Sequence, residues 1–225
     1  VSVDWASVPA KTRSAEVTIA GSDGTQVVVT VPIRTASVAV QGFVETDGYV
    51  SIEAPHFTRK TGKWMSLPGL GRTLGGMTAY PLSPDACLEY RAYFFSSGDF
   101  QVTAYLSPTQ LFSLLRYALS VDDGPRQTVD MHEGYVYFTP SWEKSVADAA
   151  IIRKSRLAFG GPGYHTIKFW AVDPGVVLQK LVVDTGGLRW SYLGPPESRA
   201  ELRHDLLSRT ALPSSSPAAR SRRTR

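Results

Sequence analysis

Apolar and polar positions between Ile167 and Ser198 form two strand-like runs followed by an irregular segment. The first run, IKFWAV, is separated from the second, VVLQKLVVD, by Asp173-Pro174-Gly175, in which proline fixes φ and glycine supplies a positive φ. Two such runs joined by three turn residues predict an antiparallel hairpin. Both faces of the second run are mostly apolar, which indicates a strand with little exposure. The segment 185–198, rich in Gly and Pro, is expected to lie across this pair as a fixed loop.

Upstream, the same patterns predict a series of short strands. Residues 49–54 alternate between polar and apolar positions, and runs of strand formers follow at 87–95, 100–106 and 116–121. The SSGD tetrapeptide at 96–99 predicts a tight hairpin between the first two of these runs, and SPTQLF predicts a longer crossing loop after the second. About eight to ten strands separated by turn signals, without βαβ alternation, indicate an all-β sandwich.

In the rest of residues 43–198 the pattern predicts helices and strands less clearly. Short strands are predicted at 127–131 and 135–138, and one or two helical turns at 141–152. Residues 58–84 contain five glycines and three prolines. We therefore predict a long irregular segment there, of the kind that binds ligands or packs as an Ω-loop.

The two ends of the chain differ from the body. Residues 1–42 contain AEVTIA and QVVVTVP around the turn GSDGT, which predicts a β-hairpin leader or connector. Residues 43–198 are expected to form the sandwich. Residues 199–225 carry seven Arg against two acids, a net charge of +5, whereas the remainder carries −1. A short helix and a disordered, solvated Arg-rich tail are expected there, and a tail that binds nucleic acid is the alternative.

No catalytic or metal-binding motif is recognisable. The sequence lacks a phosphate-binding loop, a nucleophile elbow and metal-ligand spacing among its four His, and its single Cys excludes an internal disulfide. No apolar run approaches the ~20 residues that span a bilayer. Glu53 and Asp184 would approach each other if the first and last strands of the body pair. Two such carboxylates are able to hold a structural calcium ion.

Three aromatic residues in irregular segments are candidates for carbohydrate binding: Trp64, Trp190 and Tyr192. Aromatic rings stack on the apolar faces of pyranose rings and work together with a few polar groups beside them. For each ring, packing in the core is the alternative. For Trp64 in particular, that alternative attaches the irregular segment to the sandwich.

Several sequence blocks resemble, in one order, the C-terminal domain of glycoside hydrolase family 115, the xylan α-1,2-glucuronidases. The similarity runs from about Gly42 to Ser198 and includes GYVSIEAPHFTR, LPGLGRTLGGMT, CLEYRAYFF, RYALSVDDGPRQTVD and VDPGVVLQKLVVDTGGL. The resemblance implies a jelly-roll β-sandwich like that of a carbohydrate-binding module. It also implies that the catalytic domains lie upstream, so no catalytic residue is transferred to this chain. Related modules carry a second acid where Pro55 stands, which weakens the case for calcium.

These observations predict a non-catalytic module of a xylan α-glucuronidase-like glycoside hydrolase. Its expected partners are the catalytic domains, glucuronoxylan and a second copy in a homodimer, but neither nucleic acid nor a membrane. The resemblance implies an extracellular location. A stand-alone carbohydrate-binding protein and a purely structural or dimerisation domain are the alternatives. A self-sufficient hydrolase would need two facing carboxylates roughly 5–10 Å apart in a pocket.

Overall fold

The computed structural model describes residues 13–34, 36, 38–109 and 114–198. The regular structure of these residues is nearly all strand, with one α-helix and one 3₁₀ turn (Ala54–His56). In chain order the elements are β1 (Ser14–Ala20), β2 (Gln26–Pro32), β3 (Phe43–Val44), β4 (Tyr49–Glu53), β5 (Arg59–Thr61), β6 (Trp64–Pro68), β7 (Gly75–Ala79), β8 (Cys87–Phe94), β9 (Gly98–Leu106), β10 (Arg116–Val121), β11 (Gln127–Asp130), α1 (Pro140–Ala147), β12 (Ile151–Phe159), β13 (Gly163–Ala171) and β14 (Val177–Asp184).

Twelve of these strands form two sheets that pack face to face. The first sheet has the order β11-β10-β13-β8-β3, and β5 also pairs with β8. The second sheet has the order β12-β9-β14-β7-β6, and β4 also pairs with β14. Neighbouring strands are antiparallel except for β3 and β8. The predicted all-β sandwich of the jelly-roll type is confirmed.

The core lies between the sheets and is built by strand alternation, because successive side chains point to opposite faces of a strand. In β9 of the second sheet, Val102 and Ala104 are fully buried in this core. In the first sheet, Tyr117 and Phe169 stack with ring centroids 5.1 Å apart and belong to the same cluster. The side chains between these inward positions lie on the outer faces of the sandwich.

The hairpin predicted between residues 167 and 184 is wrong. β13 lies in the first sheet and β14 in the second, so the turn between them carries the chain across the sandwich. Asp173 ties this crossing to the first sheet, since its N–H donates to the Arg116 carbonyl at 3.0 Å and its carboxylate accepts from the Arg116 N–H at 2.8 Å. β14 is nonetheless almost fully buried, as predicted, because it pairs with strands on both sides in the second sheet.

Three further local predictions need correction. The SSGD turn also connects the two sheets, so the tight hairpin between β8 and β9 is wrong, whereas the crossing after β9 is confirmed. Residues 135–138 form turns instead of a strand. The segment 58–84 contains β5, β6 and β7 despite its composition. Its glycines permit close packing within strands, since a Cβ at Gly76 would lie 2.5 Å from Val177 Cγ1.

The predicted leader hairpin is present as the two-stranded sheet β1-β2, which pairs with neither sheet of the sandwich. Its register aligns aliphatic residues on one face and mostly polar residues on the other. The aliphatic pairs are Ala15–Val31, Val17–Val29 and Ile19–Val27. Most of these side chains are exposed, so the hairpin presents an uncovered apolar face.

Within the described ranges, no helix is long and apolar enough to cross a membrane. The helix α1 has only eight residues. The short helix and Arg-rich tail predicted at 199–225 lie outside the described residues.

Candidate functional site

The outer face of the second sheet carries the candidate site. Alternation along β9 directs Gln101, Thr103 and Tyr105 away from the core, and the same alternation directs Ile152 and Lys154 of β12 outward. The register places Lys154 opposite Thr103 and Ile152 opposite Tyr105. These five side chains therefore form the floor and one side of a polar and aromatic surface.

Segment 185–198 lies across β14 and β4 on this face. The predicted loop is present, but it covers β14 and β4 instead of a hairpin of β13 and β14. Lys180 of β14 is 3% exposed, and its ammonium donates to the carbonyl oxygens of Leu193 at 3.4 Å and Pro195 at 3.1 Å. The same ammonium forms an ion pair of 2.9 Å with Glu53 of β4. A buried charge needs such partners, so Lys180 and Glu53 fix the middle of the segment to the sheet.

Hydrogen bonds to β4 fix the end of the segment. The Ser198 N–H donates to the Ser51 carbonyl at 2.8 Å, and the Ser51 N–H donates to Ser198 Oγ at 3.1 Å. The Ser51 hydroxyl donates to the Pro195 carbonyl at 3.1 Å. The Glu197 carboxylate accepts from the Glu53 N–H at 3.0 Å. These bonds satisfy an edge of β4 that would otherwise be open.

The start of the segment packs against the turn that precedes β4. The Gly187 N–H donates to the Gly48 carbonyl at 3.1 Å, and a Cβ at Gly187 would lie 2.1 Å from the Asp47 carbonyl oxygen. Only glycine allows this close approach. Trp190 follows three residues later and is 88% exposed.

Two grooves share Trp190 in their linings. The basic groove has a volume of about 440 Å³, and the proline groove has a volume of about 600 Å³. Both volumes are typical of sites for small ligands. The basic groove is lined by Arg72, Gln101, Thr103, Tyr105, Lys144, Asp148, Ile152, Lys154, Asp184, Leu188, Arg189, Trp190, Ser191, Tyr192, Gly194 and Pro195. The proline groove is lined by Asp47, Tyr49, Gly187, Leu188, Arg189, Trp190, Ser191, Pro195 and Pro196.

The basic groove has more cationic than anionic side chains. Lys144 Nζ donates to Asp148 Oδ2 at 2.7 Å, and this hydrogen bond lowers the pKa of Asp148 below its ordinary value. The Asp184 carboxylate accepts from the N–H groups of Gly186 and Leu188 at 2.9 and 3.3 Å. Among the described residues, three cations of the groove form no ion pair: Arg72, Lys154 and Arg189.

The three predicted aromatic residues lie in two different environments. Trp190 and Tyr192 both line the basic groove, and the Arg72 guanidinium lies 4.2 Å from the centroid of the Tyr192 ring. Trp64 is only 9% exposed and belongs to β6 instead of an irregular segment. Its Nε1–H donates to the Thr61 carbonyl at 2.9 Å, and its ring packs edge-on against Phe169. The structure therefore brings two of the three candidates together and places Trp64 in the core.

The expected approach of Glu53 and Asp184 is wrong, although β4 and β14 do pair. The register places Glu53 opposite Lys180 and Asp184 opposite Tyr49, at opposite ends of the paired stretch. Glu53 also accepts from the Thr73 hydroxyl at 2.7 Å. Over the part of the chain that the structure describes, no group of three or more His, Cys, Asp or Glu side chains is placed to hold a metal ion.

Most of the polar residues of the basic groove are not among the candidates that the sequence pattern indicates. The pattern predicts a strand that contains Tyr105 but does not indicate on which face of the sheet its side chain lies. It predicts no strand over 151–159. A signal for that strand exists, because Ile151, Leu157 and Phe159 share one strand face whereas Lys154 lies on the other. The contribution of α1 to the groove depends on tertiary packing that no local pattern encodes.

Comparisons with known proteins agree with this architecture. The sequence profile of the glycosyl hydrolase family 115 C-terminal domain matches residues 42–197. No curated protein sequence matches the chain at a significant level. Among solved structures, the chain is similar to a family GH115 4-O-methyl-alpha-glucuronidase with specificity for decorated arabinogalactans, at 17% identity and a TM-score of 0.50. This similarity covers 68% of the present chain but only 19% of the enzyme, so the chain spans about a fifth of that relative's length.

Two further solved structures have lower similarity to the chain. A family 35 carbohydrate-binding module from an environmental isolate has 15% identity and a TM-score of 0.46, covering 61% of this chain and 93% of the module. A GH26-CBM35 β-(1,4)-mannanase from Podospora anserina has 14% identity and a TM-score of 0.43, covering 64% and 29%. The profile match extends over more than half of the sequence, and the chain belongs to the glycosyl hydrolase family 115 C-terminal domain family.

Proposed function

We propose that this chain is a non-catalytic carbohydrate-binding module of a glycoside hydrolase family 115 enzyme and that it binds glucuronoxylan at Trp190 and Tyr192. The observation that carries the proposal is the position of Trp190. Its ring is 88% exposed and lines both the basic groove and the proline groove. An uncovered indole on a rigidly seated segment suits stacking against the apolar face of a pyranose ring.

The polar lining of the basic groove supports a sugar as the ligand. Gln101 and Thr103 offer amide and hydroxyl groups to sugar hydroxyls, and Tyr105 and Tyr192 add rings with a polar tip. The unpaired cation Arg72 is suited to the carboxylate of a uronic acid, because a guanidinium binds carboxylates through two parallel hydrogen bonds.

The acids of the groove are poorly suited to hydrolysis. A glycosidase needs two carboxyl groups flanking the bond, one of them an acid with a raised pKa. The pKa of Asp148 is shifted the other way by Lys144, and the Asp184 carboxylate already accepts two backbone N–H groups. We therefore assign substrate recognition to this chain. The removal of glucuronic acid is assigned to the catalytic domains of the parent enzyme, which would act outside the cell.

A second role in assembly is favoured by the leader hairpin. Its uncovered face of Ile19, Val27, Val29 and Val31 carries no charge, and exposed aliphatic patches of this kind mark protein contacts. The partner would be a catalytic domain or a second copy of the chain. Sedimentation of the isolated chain tests the second copy: Val29→Lys is expected to abolish any dimer, because it introduces a charge into the face.

Affinity electrophoresis with and without glucuronoxylan in the gel tests the binding proposal, with release of uronic acid measured in parallel. We expect retardation without release. Trp190→Ala should weaken binding at least about tenfold, equivalent to about 1.4 kcal/mol. Trp190→Phe keeps a ring for stacking and is the matched control, with a smaller loss. Absence of retardation would contradict the binding role, and release of glucuronic acid would contradict the non-catalytic role.

A further inference from the structure

The two grooves beside Trp190 differ in charge. The basic groove contains Arg72, Lys144, Lys154 and Arg189 against Asp148 and Asp184, a formal charge of +2. The proline groove contains Arg189 and Asp47, a formal charge of zero. The two grooves share Trp190 and Arg189, and the difference in charge comes from Arg72, Lys144, Lys154, Asp148 and Asp184 in the basic groove and Asp47 in the proline groove.

We infer that the two grooves that share Trp190 bind different parts of one acidic, branched polysaccharide. The basic groove takes the anionic branch, and the proline groove takes the neutral backbone. This inference rests on the proposed carbohydrate-binding function and adds the orientation of the ligand and the residues that read its charge.

The cations that would read the branch lie on opposite sides of the basic groove. Lys154 projects from β12, on one side of the floor strand β9. Arg189 projects from the segment held over β14 and β4, on the other side. A carboxylate between them meets positive charge from both walls, whereas Lys144 is already occupied by Asp148.

The proline groove has the features expected for a neutral pyranose chain. Pro195, Pro196 and Leu188 give it apolar walls, and Tyr49 adds an aromatic ring with a hydroxyl. Because it shares Trp190 with the basic groove, a single chain that crosses the indole would occupy both grooves. Attraction by the basic groove is screened by salt, whereas apolar stacking in the proline groove is not.

Calorimetric titration with two polymers tests the inference: glucuronoxylan and the same glucuronoxylan after reduction of its carboxyl groups. We expect the reduced polymer to bind several-fold more weakly at low salt, and the difference to shrink as NaCl is raised. Lys154→Gln should weaken binding of the acidic polymer about two- to fivefold, within the range of one exposed ion pair, and leave the reduced polymer unchanged. Tyr49→Leu should weaken both polymers by the same factor.

Arg156→Gln is the matched control for Lys154→Gln, because Arg156 lies on the same strand and the same outer face but does not line the basic groove. The inference is overturned if both polymers bind equally, if the two charge variants have equal effects, or if Tyr49→Leu affects only the acidic polymer. Absence of binding to either polymer would instead contradict the proposed function itself.

Discussion

The two outer faces of the sandwich both carry tryptophan and arginine, but they use them differently. On the first sheet, the Arg126 guanidinium covers Trp170 at 3.5 Å from the ring centroid, and Trp170 Nε1–H donates to Ser120 Oγ at 3.0 Å. Arg126 itself pairs with Asp85 at 2.7 Å. On the second sheet, Trp190 has no such cover. The ring of Trp190 is therefore open to stacking on a ligand, whereas Tyr192 on the same face has the Arg72 guanidinium 4.2 Å from its ring centroid and offers a ligand its hydroxyl and the exposed part of its ring.

The charges of the two faces follow the same rule. On the first sheet, Arg59 binds Glu89, and Arg116 binds Asp173 through two nitrogens at 2.8 and 3.0 Å. The hydrogen bond from Arg116 lowers the pKa of Asp173, so this pair persists to a lower pH than the ordinary pKa of an aspartate would allow. The face of the second sheet retains cations without partners among the described residues. The arginines of the first face are therefore paired within the protein, whereas the unpaired cations of the second face remain available to a ligand.

The largest effect is expected from replacing Lys180, whose side chain holds segment 185–198 on the second sheet. Lys180→Met removes the ammonium that holds Leu193 and Pro195 and leaves the buried Glu53 carboxylate without a counterion. We expect the free energy of unfolding to fall by about 3–5 kcal/mol, measured by urea denaturation. Adding Glu53→Gln to Lys180→Met should restore part of this loss, since the uncompensated charge is removed. Equal stability of Lys180→Met and the parent chain would show that the pair does not support the segment.

A smaller effect is expected at Glu45, which anchors the first residue of the segment. Its buried carboxylate accepts from the Thr185 hydroxyl at 2.9 Å and from the Ser96 N–H at 2.8 Å. Burial alone would raise the pKa of Glu45, but hydrogen bonds from Ser96 and Thr185 lower it below its ordinary value of 4.5. The stabilisation is therefore fully present above the unfolded-state pKa and is lost as the pH falls through the lower folded-state pKa.

Glu45→Gln tests this anchor, because the amide keeps the shape of the side chain but loses the charge. The variant should be about 1–3 kcal/mol less stable at pH 7, from unsatisfied buried donors. Its stability should also decrease less steeply than that of the parent chain in acid. Parallel pH profiles of unfolding for the two proteins would exclude a contribution of Glu45 to the pH dependence.

The difference between the two faces was only partly predictable from the sequence. The alternation in 49–54 correctly predicted a strand, and the composition of 185–198 correctly predicted an irregular segment, because both signals are local. The partner of each strand was not predictable in the same way. The turn at Asp173 and the turn at SSGD have hairpin composition, yet both cross between sheets, where bonds such as that of Asp173 to Arg116 decide the path.

The candidate site shows the same limit. Glycines and prolines around Trp190 and Tyr192 make these two residues candidates, and both lie in an irregular segment as expected, whereas Trp64 in a similar context belongs to a core strand. The glycine and proline content of a segment predicts turns, but it does not predict whether a nearby aromatic side chain is buried by packing. Arg72 and Lys154 come from distant parts of the chain, and their shared groove exists only after the sheet and α1 have assembled.

The smallest effect is expected from a matched pair of arginine variants, one on each face. Arg126 and Arg72 both stack on an aromatic ring, Trp170 and Tyr192 respectively. Arg126→Gln should cost less than about 1 kcal/mol of stability, the range of an exposed cation–π contact and a surface ion pair, and should leave glucuronoxylan binding unchanged. Arg72→Gln should weaken that binding several-fold, because it removes an unpaired cation of the basic groove. Equal binding by both variants in calorimetric titration would mean that the contrast between the faces has no functional consequence.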